Sequence, residues 1–246
     1  MGYRFLFSNY KEIRLCNTYL TCYNFSFYYL YKETKFRVDK RMKRLIDILI
    51  SLIALIILSP IFLLVTYKVR KNLGSPVFFL QERPGMDGHL FKMIKFRSMK
   101  DAFDKDGNHL PDEQRITPFG HKLRSTTLDE MPQLINVLKG DMSIVGPRPQ
   151  MKDFLEHYTP EQMRRHDVKP GMTGLAQVSG RNNLSWDEKF ELDLKYVETQ
   201  STLLDFQIML KTVKVMLAKE GINAPDQTVG AARFTSIENS SKCETD

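Results

Sequence analysis

Cysteine is scarce in this chain: Cys16, Cys22 and Cys243 among 246 residues, odd in number and scattered. No two have metal-ligand spacing and no disulfide framework can be drawn, which points to a reducing compartment. Neither G-x-x-x-x-G-K-[S/T] nor G-x-G-x-x-G occurs, so the two best-known phosphate-cradling loops are excluded. Internal repeats are lacking. At the N-terminus no long apolar core with a small-residue cleavage site follows the basic start, so residues 1–41 do not read as a secretory signal. Residues 45–246 lack net charge, with 26 basic and 26 acidic side chains. That balance argues against a general polyanion binder and against nucleic acid as a partner.

The whole surplus of +7 sits in residues 1–44, which hold ten Lys/Arg and three Asp/Glu. Placed before a hydrophobic run, it suits anionic lipid headgroups. Residues 1–41 are rich in Tyr, Phe and Asn and show no clear period. Two readings stand: a membrane-surface extension, or upstream sequence that precedes a start at Met42. Residues 45–69, LIDILISLIALIILSPIFLLVTYKV, would form a helix of about 37 Å, enough for the hydrocarbon core. Pro60 lies near the middle. It removes a backbone donor and leaves the carbonyl of Ile56 without its usual partner, which the hydroxyl of Ser59 can serve. Both flanks are basic: Lys40, Arg41, Lys43 and Arg44 before, Lys68, Arg70 and Lys71 after. Positive flanks stay cytoplasmic, so both ends ask for one side. Residues 42–72 therefore read as a re-entrant helix–break–helix at Ser59-Pro60, with a proline-kinked spanning helix as the alternative.

Beyond it, residues 77–99 predict a β-hairpin turning at Pro84-Gly85 and Asp87-Gly88, with Lys95 and Arg97 on one strand face. Residues 101–114 form a polar loop. Capping boxes start helices at Thr159-Pro160-Glu161-Gln162 and at Ser185-Trp186-Asp187-Glu188. Over about 203–220, Phe206, Met209, Leu210, Val213, Met216 and Leu217 recur at helical spacing, opposite Lys211, Lys214 and Lys219. This stripe reads first as core packing and second as membrane contact. From Gly221 the polar tail reads as disordered. The fold class is α+β, mainly helical with a short β-hairpin, membrane-anchored by a re-entrant broken helix. Its parts are the 1–41 extension, the 42–72 anchor, a cytoplasmic catalytic domain at 73–220 and the 221–246 tail.

The adjacent acids of STTLDEMPQLINVLKG (125–140) admit two explanations. As punctuation, Thr127 and Glu130 fit a capping box; alternatively Asp129 caps a helix over about Glu130–Lys139 that tolerates Pro132 in its first turn and stops at Gly140. The expected apolar stripe is Met131, Leu134, Ile135 and Leu138. As chemistry, the pair joins nearby Arg124 and Arg148, which IVGPRP (144–149) presents between two prolines on a stiff segment. Guanidinium groups suit phosphate, and acids beside phosphate suit Mg²⁺. KPGMTGLAQVSGRN (169–182) has three glycines, which let backbone approach a ligand closely, and holds Arg181. His166 beside Asp167 reads as structural.

Taken together, KRLIDI (43–48), Ser59-Pro60, QERPG (81–85), FKMIKFRSM (91–99), LRSTTLDEMPQLINVLKGDMSIVGPRP (123–149) and RHDVKPGMTGLAQVSGRN (165–182) resemble a bacterial sugar transferase of the monotopic phosphoglycosyl transferase family, small single-domain type. The resemblance covers Met42 to about Phe234. It implies transfer of a sugar-1-phosphate from a UDP-sugar to a polyprenol phosphate, typically undecaprenyl phosphate, with release of UMP, to start a surface glycan. An aspartate attacks the β-phosphorus and carries the sugar-phosphate between the two steps. The family's acid dyad falls on Asp129, the nucleophile, and Glu130, with Mg²⁺ held at both. Lys95, Arg124, Arg148 and Arg181 are the implied substrate contacts. Helix-terminus charge and Arg124 are expected to keep Asp129 ionised. The implied location is the bacterial inner membrane with the catalytic domain facing the cytoplasm; homo-oligomerisation is left open. A catalytically silent scaffold that binds lipid phosphate or nucleotide sugar is the alternative from another class.

Overall fold

The computed structural model describes the backbone of residues 9–108, 110–180 and 183–218, with side chains described between residues 40 and 216. The chain divides into two compact units, Met1–Leu45 and Ile46–Asp246. Helix α1 is assigned over Asn9–Leu73. Then come strands β1 (Phe78–Pro84) and β2 (Leu90–Phe96), helices α2 (Asp112–Arg115), α3 (Pro118–Ser125) and α4 (Gln133–Lys139), and strand β3 (Ser143–Val145). Helix α5 (Pro160–Met163), strand β4 (Gly171–Thr173) and helices α6 (Leu175–Ser179), α7 (Trp186–Thr199) and α8 (Thr202–Ala218) complete the order. The architecture is thus mainly helical with a short antiparallel hairpin, as the sequence predicts.

Within the second unit, α1 is assigned helical through Pro60, so a non-helical gap at Ser59-Pro60 is not there. The compensation is. Ser59 Oγ donates to the carbonyl of Ile56 at 2.8 Å, replacing the donor that proline lacks and letting the helix continue. The apolar stretch is largely uncovered, with Ile56, Ile57 and Leu63 each more than three-fifths exposed. Its mean hydropathy of 3.1 fits a membrane anchor. Two parts of it stand out in packing against the rest of the unit. Asp47 is buried, accepting from Ser143 Oγ at 2.8 Å and from the amide of Ile144 at 3.0 Å. Further on, Val65, Val69 and Leu73 join Phe96, Leu123 and Met131 in one core cluster.

The hairpin pairs Phe79 with Lys95, Gln81 with Met93 and Arg83 with Phe91. Alternation then puts Gln81, Arg83, Met93 and Lys95 on one face. Met93 on that face packs with Val137 of α4 and Met142. A second, parallel pair joins β3 to β4, Ser143 opposite Gly171 and Val145 opposite Thr173. Gly171 is required there, because an added Cβ would lie 2.1 Å from the amide nitrogen of Gly146. At Gly171 and Gly174 the glycine-rich segment therefore brings its backbone against that of Gly146. Both predicted capping boxes form, at Thr159 and at Ser185.

Helix α8 departs from the first expectation. Leu203, Phe206, Leu210, Val213 and Met216 are all about half exposed or more, while Asp205 and Ile208 face inward. The stripe at 206, 210, 213 and 216 is not core packing. Buried Tyr196 explains the inversion: its hydroxyl donates to Asp205 Oδ1 at 2.7 Å and lies 3.0 Å from the carbonyl of Val145, so a polar contact fixes which face of α8 turns in.

Candidate active site

The acid pair sits in a 3₁₀ turn, Leu128–Glu130, not in the first turn of α4. Helix α4 begins at Gln133, with Pro132 at φ −64° just before it, and ends as expected at Gly140, whose φ of +97° is the left-handed stop that glycine suits. Neither punctuation reading holds. Thr127 lies at φ +58° and makes no side-chain cap, and Asp129 lies inside the 3₁₀ turn rather than at the N-cap. Of the stripe expected on α4, Met131 and Leu134 are buried and Ile135 and Leu138 half-buried; Gln133, Asn136 and Val137 are buried besides. Asn136 ties α4 to the hairpin, accepting from the amide of Ile94 at 2.9 Å and donating to the carbonyl of Lys92 at 2.8 Å.

The two acids have opposite surroundings. Glu130 accepts from Lys95 Nζ at 3.0 Å and from Arg148 Nη2 at 2.6 Å, both on Oε1, and its Oε2 lies 3.4 Å from Arg148 Nη1. Burial pushes its carboxyl up, but Arg148 and Lys95 more than offset this and hold it well below the usual carboxylate range. Asp129 has no ion pair among the described residues. Burial, and then the charge of Glu130, raise its carboxyl from 3.8 to about 6, against the smaller pull of Lys95, Arg124 and Arg148. Of the two influences expected to keep Asp129 ionised, the helix terminus is absent, because the turn precedes the helix, while Arg124 does pull its carboxyl down, though less than burial and Glu130 push it up; at about 6 the group is still mostly ionised at neutral pH.

Three of the four basic residues named from sequence come together here. Lys95 and Arg148 grip Glu130. Arg124 is exposed, and its Nε donates to Ser98 Oγ at 2.9 Å; it acts on Asp129 through charge rather than contact. Arg181 lies outside the described residues. Arg97, expected to share a face with Lys95, follows the end of β2 and serves the carbonyls of Ser75 and Met99 and the carboxylate of Asp101. His166 is structural, as read. Its Nδ1 is 3.1 Å from the carbonyl of Gly85, and burial first, Arg165 second, press its imidazole down to about 4.

Sequence reasoning missed a supporting layer. Arg165 is 2 % exposed and pairs with Asp193, 5 % exposed, at 2.5 Å. The same guanidinium donates to Tyr158 Oη at 2.9 Å and to the carbonyl of Arg148 at 2.8 Å. Arg148, already stiffened by buried Pro147 and Pro149, is thereby held at its backbone too. The available signal was Arg165 and Asp193 recurring inside segments otherwise read as helix starts, too weak to pair two residues 28 apart. Arg83 lay in the quoted QERPG without being singled out.

A carboxylate held without a cationic partner, beside a clamped one and among basic groups, is the arrangement of an enzyme that handles a phosphorylated substrate, and the uncovered apolar helix of the same unit fits membrane attachment. The chain belongs to the bacterial sugar transferase family, whose model matches residues 38–219, and by class it is a phosphoglycosyl transferase. It is 50 % identical over 194 residues to the sugar transferase EpsL of Bacillus subtilis, a match covering 79 % of this chain and 96 % of that protein. It is 39 % identical over 196 residues to the exopolysaccharide production protein ExoY of Sinorhizobium fredii, over 73 % of this chain and 87 % of ExoY. It is 41 % identical over 203 residues to the undecaprenyl-phosphate galactose phosphotransferase of Salmonella typhimurium, covering 75 % of this chain but only 42 % of that longer protein.

Proposed function

We propose that this protein transfers a sugar-1-phosphate from a UDP-sugar to undecaprenyl phosphate, releasing UMP, and that Asp129 carries the sugar-phosphate between the two half-reactions. The observation that supports this most is the division of labour between the acids. Glu130 is spoken for by Lys95 and Arg148, whereas the carboxylate of Asp129 has no ion pair among the described residues and is therefore available to attack. The names of relatives from Salmonella typhimurium and Klebsiella pneumoniae, an undecaprenyl-phosphate galactose phosphotransferase and a UDP-glucose:undecaprenyl-phosphate glucose-1-phosphate transferase, agree with the donor and acceptor classes.

In the first step an Asp129 oxygen forms a bond to the β-phosphorus, and the bond to the bridging oxygen breaks. UMP leaves with that electron pair. An oxygen of the lipid phosphate then attacks the same phosphorus, and the Asp129 carboxylate is regenerated. Neither step needs a general base, since both attacking oxygens are already anionic. Lys95 and Arg148 fix Glu130, and Arg124 and Arg148 add positive charge where the diphosphate enters. Among the described residues no cluster of three or more acidic, His or Cys ligands occurs. The adjacent carboxylates nevertheless fit Mg²⁺, which commonly takes one or two protein carboxylates and completes its shell with substrate phosphate and water. Asp129, lacking a cation, would be the main protein ligand, with Glu130 beside it. When bound, Mg²⁺ supplies charge neutralisation for the diphosphate and the departing phosphate.

The reading extends to membrane placement. Asp47, near one end of the apolar stretch, and Val65, Val69 and Leu73, at the other, all pack on the same catalytic unit. A helix crossing the bilayer would part those two contacts, so both ends belong on the side of the catalytic domain, the cytoplasmic one by its basic flanks. UMP release by the detergent-solubilised protein, with UDP-galactose and UDP-glucose, with and without undecaprenyl phosphate, tests the activity. Sustained release only with the lipid is expected. Equal release without lipid would mean hydrolysis, and no release with any sugar nucleotide would favour the silent scaffold.

A further inference from the structure

One cation of the site is unaccounted for. Arg83 lies on the hairpin face that also carries Gln81, Met93 and Lys95, and Lys95 on that face reaches Glu130 at 3.0 Å. The Arg83 side chain has one hydrogen bond, from Nη2 to Gln81 Oε1 at 2.8 Å. Its Nε is buried with no partner. No carboxylate comes within ion-pair distance of it among the described residues, although Glu130, Asp153 and the Tyr158 hydroxyl are near enough to act on it through charge. By contrast Arg97, Arg148 and Arg165 each hold a carboxylate, from Asp101, Glu130 and Asp193.

Enclosing a guanidinium without a counter-ion is unfavourable, because it loses water and gains no opposite charge. Arg148 adds repulsion: burial first and Arg148 second bring the Arg83 guanidinium down to about 10. The repulsion between the Arg83 and Arg148 guanidinium groups is not offset by an ion pair at Arg83 among the described residues, and Arg148 already shares Glu130 with Lys95. A doubly or triply charged anion with several oxygens relieves it, and the forked donors of arginine match phosphate oxygens.

We propose that Arg83 is a phosphate-binding residue of the active site, its incompletely partnered guanidinium donating to a phosphate oxygen of a substrate. This rests on the phosphoglycosyl transfer reading above. The donor's diphosphate and the lipid's phosphate share the required chemistry, and the two half-reactions tell them apart.

The test compares wild type, Arg83→Gln and Arg83→Lys in two single-turnover arms. In the donor arm, UMP release without lipid is followed against UDP-sugar concentration. In the acceptor arm, discharge of the preformed sugar-phosphate enzyme is followed against undecaprenyl phosphate concentration. Losing one charge-assisted contact is expected to raise the half-saturating concentration about 10- to 100-fold in at least one arm, the arm naming the phosphate. Arg83→Lys, which keeps charge but not the fork, is expected to recover part of the loss. If Arg83 instead only supports the hairpin through Gln81, Arg83→Gln will melt earlier and keep wild-type concentration dependence in both arms, which overturns the inference. Should Arg83→Gln fail to fold, Arg83→Lys decides alone: unchanged half-saturation in both arms overturns the proposal. Failure of wild type to release UMP in a single turnover would instead count against the reaction itself.

Discussion

Replacing Asp129 with Asn should stabilise the folded protein at neutral pH and abolish its activity. The carboxyl is pushed from 3.8 up to about 6, so the folded state holds this proton more tightly than the unfolded state does. The stability that the protonated group contributes is full below about pH 4 and is lost as pH rises through about 6. At pH 7.5 the ionised side chain therefore costs the fold up to about 3 kcal/mol, at 1.36 kcal/mol for each pKa unit. Relaxation and water at a half-buried site reduce this to about 1–3 kcal/mol. Asn is close in size, carries no charge, and forfeits no ion pair. For a domain of this size a gain of that order moves the melting temperature by about 2–10 °C. The assay is thermal unfolding of wild type and Asp129→Asn in one detergent with EDTA, at a fixed scan rate, at pH 7.5 and at pH 4. The gain should appear at pH 7.5 and vanish at pH 4. A destabilised variant at pH 7.5, or an equal gain at both pH values, would refute the electrostatic reasoning.

Glu130→Gln should behave in the opposite way, since it strands Lys95 and Arg148; a loss of about 3 kcal/mol in denaturant unfolding is expected, together with loss of turnover. Replacing both Phe206 and Leu210 with Ser should cost less than about 1 kcal/mol, because both are exposed; a loss of several kcal/mol would restore the core-packing reading of α8. Single cysteines at positions 40 and 72 should label alike with an impermeant thiol reagent, neither in intact spheroplasts and both after lysis, whereas labelling of one alone in intact cells would mean a crossing helix.

Local rules carried much of this fold. The hairpin, both capping boxes, the stop at Gly140 and the Ser59–Ile56 hydrogen bond depend on neighbours within a few residues, and each was legible. What was not legible depends on contacts far along the chain. Whether Leu210 or Ile208 faces the interior of α8 is decided by Tyr196 and Val145, which periodicity cannot see. The acid pair was recognised, but the upward push of burial and of Glu130 on the Asp129 carboxyl was not. Local spacing offered it a helix terminus and Arg124, while the fold gives Glu130 the cations from Lys95, 35 residues upstream, and Arg148, 18 downstream. Arg83 and the Arg165–Asp193 pair were invisible for the same reason.

The central claim is that Asp129 becomes bonded to phosphorus. Intact-protein mass spectrometry after rapid quenching, with UDP-sugar and Mg²⁺ present and lipid acceptor absent, tests it most directly, followed by peptide mapping. Wild type is expected to gain the mass of one sugar-phosphate, on the peptide that contains Asp129, and to lose it when undecaprenyl phosphate is added. Asp129→Asn is expected to gain nothing. Steady turnover by Asp129→Asn, with no reversion to Asp by deamidation, or an adduct mapped to another residue, would contradict the account.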